Sequence, residues 1–249
     1  MKILFLGNSL TYYNQSVVHD VATLFSNSSN ELEQVDKVLV GGATLKTLWR
    51  SSNATRLIQQ NNYDIVVIQE DLPETTIAKF HTYAEKFINL VRQHKGRPIL
   101  FMAWAYNRLP ALTNAMVEQA HLELAKRVSC DVAPVLLARL ECESITALNI
   151  PTMYAKDMEH PSVAGTFLAA LVLFVTITGS SRDLLKSNAS TYAPQGVDAN
   201  VAIILQHVAT SIAGTNRWRF ESTTTEEPEV PDAPKVLEVL EVPSLVTHV

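Results

Sequence analysis

The chain is poor in the features that mark several protein classes. It has only two cysteines, Cys130 and Cys142, among 249 residues. That excludes a disulfide framework, and neither cysteine stands in a CxxC-type metal spacing. Buried free thiols are the expectation. Charged residues make up only 18% and the formal net charge is −5. There is no basic stripe, so nucleic acid is not an expected partner. Long hydrophobic runs are also missing. The longest uncharged stretch is Pro161–Ser181, with its apolar part at Val163–Thr178. That is short of the about 20 apolar residues of a membrane span, and it contains Gly165, Thr166 and Thr176. It reads as a buried core helix, and no membrane partner is expected. No Gly-rich phosphate loop follows the first apolar run, which disfavours nucleotide binding. No solenoid-type repeat is visible. Met1–Leu6 runs straight into Gly7-Asn8-Ser9 and leaves no room for the apolar core and cleavage site of a leader. The expectation is a cytoplasmic protein as numbered, or one whose leader was removed before this numbering begins.

What is present suits one large α/β domain. Hydrophobic residues make up 47%, ample for a sizeable core. Apolar runs at Lys2–Leu6, Val35–Val40, Asp64–Ile68, Pro98–Ala103 and Cys130–Val135 read as strands. Between and after them, helical spacing appears at Ser16–Phe25, Ala43–Gln59, Thr75–Gln93, Asn114–Val128, Val163–Thr178 and near Val197–Ala213. Strands alternating with helices, with nearly continuous apolar runs, predict a three-layer α/β/α sandwich around a mostly parallel five-stranded sheet. Ligands of such sheets bind beyond the carboxyl ends of the strands. The domain is expected to cover residues 1–220. Residues 221–249 are rich in Thr, Glu and Pro at first and then regain apolar residues, with Leu237-Glu238-Val239 echoed by Leu240-Glu241-Val242. They read as a linker and tail. The tail either docks on the domain or on a second copy, giving a homo-oligomer, or is a frayed terminus.

The chemistry concentrates in two places. Ser9 follows directly on the first strand, after a glycine and before a helical pattern, which presents its hydroxyl at the carboxyl edge of the sheet. It is not a G-x-S-x-G elbow, because no glycine stands two residues later. A serine there is also an ordinary turn or N-cap residue, and its hydroxyl is a poor nucleophile without a base. Of seven histidines, most fall on predicted helices among polar neighbours. His160 differs: it lies in Lys156-Asp157-Met158-Glu159-His160-Pro161-Ser162, just before a strongly apolar helix. Asp157, three residues upstream, is placed to hold Nδ1 and leave Nε2 facing Ser9, which would complete a nucleophile, base and orienter.

Gly-Asn-Ser-Leu after an N-terminal strand, together with Asp-x-x-His-Pro before a late helix, resembles the SGNH (GDSL-like) hydrolase family over most of Met1–Gly179. Asn8 stands where the family usually has Asp, as in a subset with Gly-Asn-Ser. The resemblance implies a flavodoxin-like SGNH hydrolase fold and a serine esterase with Ser9 as nucleophile and Asp157 and His160 as the other two triad members. It implies no cofactor or metal. It also implies an oxyanion hole from the N–H groups of Ser9 and of Gly42 or Gly41, with Gly42 preferred. The family's third donor is an asparagine in Gly-x-Asn-Asp. This chain has Gln69-Glu70-Asp71 instead, so Gln69 is the expected substitute. Ordinary strand-end polar residues are the competing reading of Gln69 and Glu70.

Asn8, Tyr12, Trp104 and Asn107 are candidate substrate-binding residues, among neighbours Tyr13, Asn14, Tyr106 and Arg108; each aromatic is also a candidate for packing under a loop. Glu159 either tunes the pocket charge or faces solvent. The expected substrate is a small-molecule or glycan ester with a short acyl group, acetyl above all. Two other readings stand beside it: a weak or silent glycan-binding module, and an acyltransferase with the same triad.

Overall fold

The computed structural model describes residues 1–106, 108–145, 150–180, 184 and 191–220. Five strands, β1 (Lys2–Gly7), β2 (Gln34–Leu39), β3 (Ile65–Gln69), β4 (Arg97–Phe101) and β5 (Asp131–Ala133), form one sheet in the order β2-β1-β3-β4-β5. Every pairing is parallel. β1, β3 and β4 carry continuous apolar runs because both their faces are covered. β2, at one edge, is only half-buried and carries Gln34, Asp36 and Lys37, as an edge strand tolerates.

Nine helices flank the sheet among the described residues: α1 (Ser9–Tyr12), α2 (Val17–Ser26), α3 (Leu45–Ser51), α4 (Ala54–Asn61), α5 (Ile77–Gln93), α6 (Asn114–Val128), α7 (Val135–Ser144), α8 (Val163–Thr178) and α9 (Ala199–Ala213). α8 packs against α2, α7 and α9, while α5 packs against α3, α4 and α6. These two groups make the outer layers of the α/β/α sandwich. α8 is buried almost all round, which is why it reads as uniformly apolar. No helix among the described residues is long and apolar enough to cross a membrane.

Two boundaries differ from the sequence expectation. The helix expected at Ala43–Gln59 is two helices. Ser52 adopts an extended backbone, its hydroxyl donates to Leu48 O (2.6 Å) and accepts from Ala54 N (3.1 Å). One side chain thus closes α3 and opens α4, a local competition with the helical ladder. The strand expected at Cys130–Val135 stops at Ala133, and Pro134 starts α7, which the sequence reading lacks. Its buried positions Val135, Ala138, Arg139 and Cys142 keep helical spacing. Cys130 and Cys142 are buried and unpaired with each other. Residues 221–249, the expected linker and tail, lie outside the described residues.

Candidate active site

β1 delivers the chain to the carboxyl edge of the sheet between β2 and β3. Asn8 then turns extended and caps α1: its Oδ1 accepts from Leu10 N at 3.0 Å. Ser9 is the first helical residue, so its N–H has no intrahelical acceptor and stays available at a helix N-terminus. A four-residue helix cannot hold itself, and Gln69 at the end of β3 supplies the support. Gln69 Oε1 accepts from Asn8 N (2.9 Å) and from Thr11 Oγ1 (3.1 Å), while Nε2 donates to Glu70 O (2.7 Å). Gly7 is needed for this close approach. A Cβ there would lie 2.5 Å from Gln69 Oε1.

The opposite wall follows β2. Val40 N donates to Gly7 O (3.2 Å) and Ala43 N to Val40 O (3.0 Å), closing a turn over Gly41-Gly42. Gly42 has φ +63°, a conformation that favours glycine. Gly41 lies under the Tyr12 hydroxyl, which a Cβ at 41 would meet at 2.8 Å. Glu70 ties this wall to the sheet: its Oε1 accepts from Leu45 N (2.9 Å) and Asp71 N (2.8 Å). Glu70 Oε2 is buried without a partner. Burial therefore dominates and pushes the Glu70 carboxyl up to about 7, despite the two N–H donors.

The His160 side is a loop that folds on itself. Tyr154 and Pro161 bridge its two arms, Ala155 N donates to His160 O (2.8 Å) and Met158 takes φ +58°. Asp157 organises the tip. Its Oδ1 accepts from Glu159 N (3.0 Å) and His160 N (2.9 Å), and its Oδ2 faces His160 Nδ1 at 2.9 Å. Slight burial works against the carboxylate, but these N–H groups and the imidazole outweigh it and hold Asp157 below its ordinary range. Tyr13 stacks on the His160 ring, centroids 4.2 Å apart. Three anchors fix the loop to the rest: Asn14 Nδ2 donates to Pro161 O (2.6 Å), Trp104 Nε1 to Glu159 O (2.9 Å) and Tyr154 Oη to Ala105 O (3.1 Å).

These elements enclose a cavity of about 580 Å³. Ser9, His160, Gly41 and Gly42 line it, with Tyr12, Tyr13 and Thr44. Asp71, Glu74, Arg108 and Glu159 form an ionic wall. Arg108 pairs with both Glu74 and Glu159. Asp71 accepts a hydrogen bond from Tyr106 Oη at 2.8 Å.

Of the residues singled out from sequence, Ser9, His160, Gly42 and Tyr12 thus share one cleft, and Asp157 holds the histidine behind it. Among the described residues no hydrogen bond joins Ser9 Oγ to His160. Gln69 differs from its expected role. It is fully buried beneath the Ser9 turn, off the cleft lining, with its amide directed at Glu70 O. Asn8 is likewise buried and caps α1, and Trp104 is buried with its N–H on the base loop. Both therefore shape the site from behind instead of lining it. Asn107 lies outside the described residues. Glu159 lines the cleft and pairs with Arg108. Asp71, Glu74 and Thr44 were not picked out from sequence. Asp71 carried a signal, an acidic residue just past a strand's carboxyl end.

No protein family profile and no curated protein sequence matches the chain. Solved structures do. One is a provisionally assigned SGNH hydrolase from Slackia heliotrinireducens, at 25% identity and TM-score 0.58, covering 71% of this chain and 98% of that one. A lipase/acylhydrolase from Enterococcus faecalis matches at 19% identity and TM-score 0.58, covering 72% and 95%. An acetylxylan esterase from Geobacillus stearothermophilus matches at 19% identity and TM-score 0.52, covering 74% and 92%. The chain has the SGNH hydrolase fold. In this SGNH fold the candidate cleft sits at the carboxyl ends of β1, β2 and β3, where an open parallel sheet binds its ligands.

Proposed function

We propose that the protein is a serine esterase that hydrolyses short-chain acyl esters, acetyl above all, with carbohydrate esters among its substrates. The observation that carries this reading is the 2.9 Å contact of Asp157 Oδ2 with His160 Nδ1, on a ring that lines the same cleft as Ser9. A carboxylate on Nδ1 fixes the tautomer with Nε2 free to accept a proton. In the proposed cycle His160 Nε2 takes the Ser9 proton as Oγ attacks the ester carbonyl. The oxyanion is held by the N–H groups of Ser9 and Gly42. The intermediate collapses to the acyl-enzyme as His160 returns the proton to the leaving alcohol. Water, deprotonated by His160, then releases the acid and regenerates Ser9. Gln69 acts beneath the turn, keeping the Ser9 N–H in place through Asn8 and Thr11.

The activities of the structural neighbours agree with an ester substrate, and the acetylxylan esterase supports an acetyl group on a sugar. The test is hydrolysis of p-nitrophenyl esters of rising acyl length by wild type and Ser9→Ala. Activity greatest on acetate that falls at least about 10³-fold in the variant is expected. Activity unchanged in the variant overturns the serine mechanism. The engaged amide of Gln69 favours one second reading, a silent glycan-binding module that lacks the usual third oxyanion donor. An organophosphonate that labels Ser9 in wild type excludes it, because labelling needs an activated serine.

A further inference from the structure

We propose that, among such acyl esters, the cleft prefers those whose alcohol half carries a positive charge, and that Asp71 is the residue that selects them. This rests on the esterase reading and concerns the same site. Asp71 is only 2% exposed, yet it lines the cleft beside Ser9 and His160. Its Oδ1 accepts from Tyr106 Oη. Its Oδ2 receives no donor among the described residues and, unlike Glu70 Oε2, is not sealed from solvent. An almost buried carboxylate thus presents one bare oxygen to the cavity.

The surrounding charge sharpens the point. Arg108 is the cation of this wall, and its guanidinium is engaged by Glu74 and Glu159 together. Those two carboxylates already exceed it, so Asp71 has no counter-charge of its own. Burial pushes its carboxyl up to about 6; the Tyr106 hydroxyl and Arg108 oppose this, while Glu74 and Glu159 add to it. A ligand cation would lift that desolvation cost, whereas a carboxylate or phosphate would meet three like charges and have to break the Arg108 pairs. Tyr12, 41% exposed, and Tyr13 add aromatic surface to the same cleft, which suits an ammonium group.

Calorimetric titration at neutral pH and low salt tests this without any turnover. The probes are choline, its uncharged carbon isostere neohexanol, and the anion glycolate. Choline is expected to bind about tenfold more tightly than neohexanol, with glycolate weakest, and added salt should erode the preference. Asp71→Asn keeps an oxygen for Tyr106 and should bring choline and neohexanol within about threefold of each other. Glu74→Gln, more exposed, should lower the preference less, and it serves if the first variant fails to fold. Equal binding of the two isosteres by wild type, no binding of either, or a preference that survives Asp71→Asn overturns the proposal. Hydrolysis of acetylcholine against neohexyl acetate then separates the two claims. Ser9-dependent hydrolysis without charge selection sinks this inference alone. Charge-selective binding without Ser9-dependent hydrolysis of any ester sinks the esterase reading alone.

Discussion

The two sides of the candidate triad are built in different ways. Ser9 stands on a buried clasp: Gln69, Asn8 and Thr11 are each at most 1% exposed and bond to one another across β1 and β3. His160 stands on a loop whose organiser, Asp157, is 43% exposed in its side chain and bonds only within three residues. The position of Ser9 is therefore a property of the sheet edge, inseparable from the stability of the core. The orientation of the His160 ring is set locally by one carboxylate, on a loop that Asn14, Trp104 and Tyr154 anchor as a whole. Two carboxyls of the cleft region show the same contrast. Asp157, among N–H donors, is held below its ordinary range, and Asp71, in the wall beside the clasp, is pushed up.

The sharpest way to break the comparison is Asp157→Asn. The amide keeps an oxygen for the two loop N–H groups but presents the wrong partner to Nδ1. kcat should fall on the order of 10³–10⁴-fold, while the melting temperature moves by less than about 2 °C, as for an exposed polar substitution. A melting temperature that collapses together with activity would show that the loop is not independent of the core.

Glu70→Gln probes the buried side. Burial raises the folded-state value of Glu70 to about 7 from the usual 4.5. Between those two values Glu70 binds more proton in the folded protein than in the unfolded chain, so its contribution to stability declines as pH rises from about 4.5 to about 7. A shift of this size corresponds to roughly 3 kcal/mol over the window. Asp71 and Asp20, also pushed up by burial, contribute with the same sign, and His121, pushed down to about 4 by burial, opposes them. Removing the titration at Glu70 should make stability fall less, or rise more, across this window than in wild type, as read by urea unfolding at a series of pH values. An unchanged slope would place the buried proton elsewhere.

The same division explains what the sequence could reveal. β1, β3 and β4 were legible because strands covered on both faces need unbroken apolar runs, and α8 because a helix buried all round does too. Asp157 and His160 were legible because their relation is local, three residues apart in one loop. Gln69 was not. Its partners are 58 and 61 residues away, and nothing in a strand-end amide says whether it turns toward the cleft or under it. Asp71 showed only its place at a strand end; its environment was hidden for a similar reason, since its hydrogen-bond partner Tyr106 comes from the loop after β4. The break between α3 and α4 was written in Ser51-Ser52-Asn53, but a serine that caps in both directions looks like an ordinary surface serine until Leu48 O and Ala54 N are seen on its hydroxyl.

The mildest perturbation is the most discriminating for the clasp. Thr11→Val keeps shape in a site that is 1% exposed and deletes only the hydroxyl that donates to Gln69 Oε1 at 3.1 Å. Gln69 Oε1 retains Asn8 N, so no buried acceptor is left bare. The expected loss is about 1 kcal/mol of stability, or about 2–4 °C in a domain of this size. If the clasp positions Ser9 through its summed bonds, kcat should fall only a few-fold, with KM steady, because the Asn8 link still orients the Ser9 N–H. Stability that drops with activity untouched would make the clasp a fold element alone. Activity that collapses with stability untouched would put the Thr11 hydroxyl in the chemistry, and the clasp would no longer be the core-bound counterpart of the locally organised Asp157 tip.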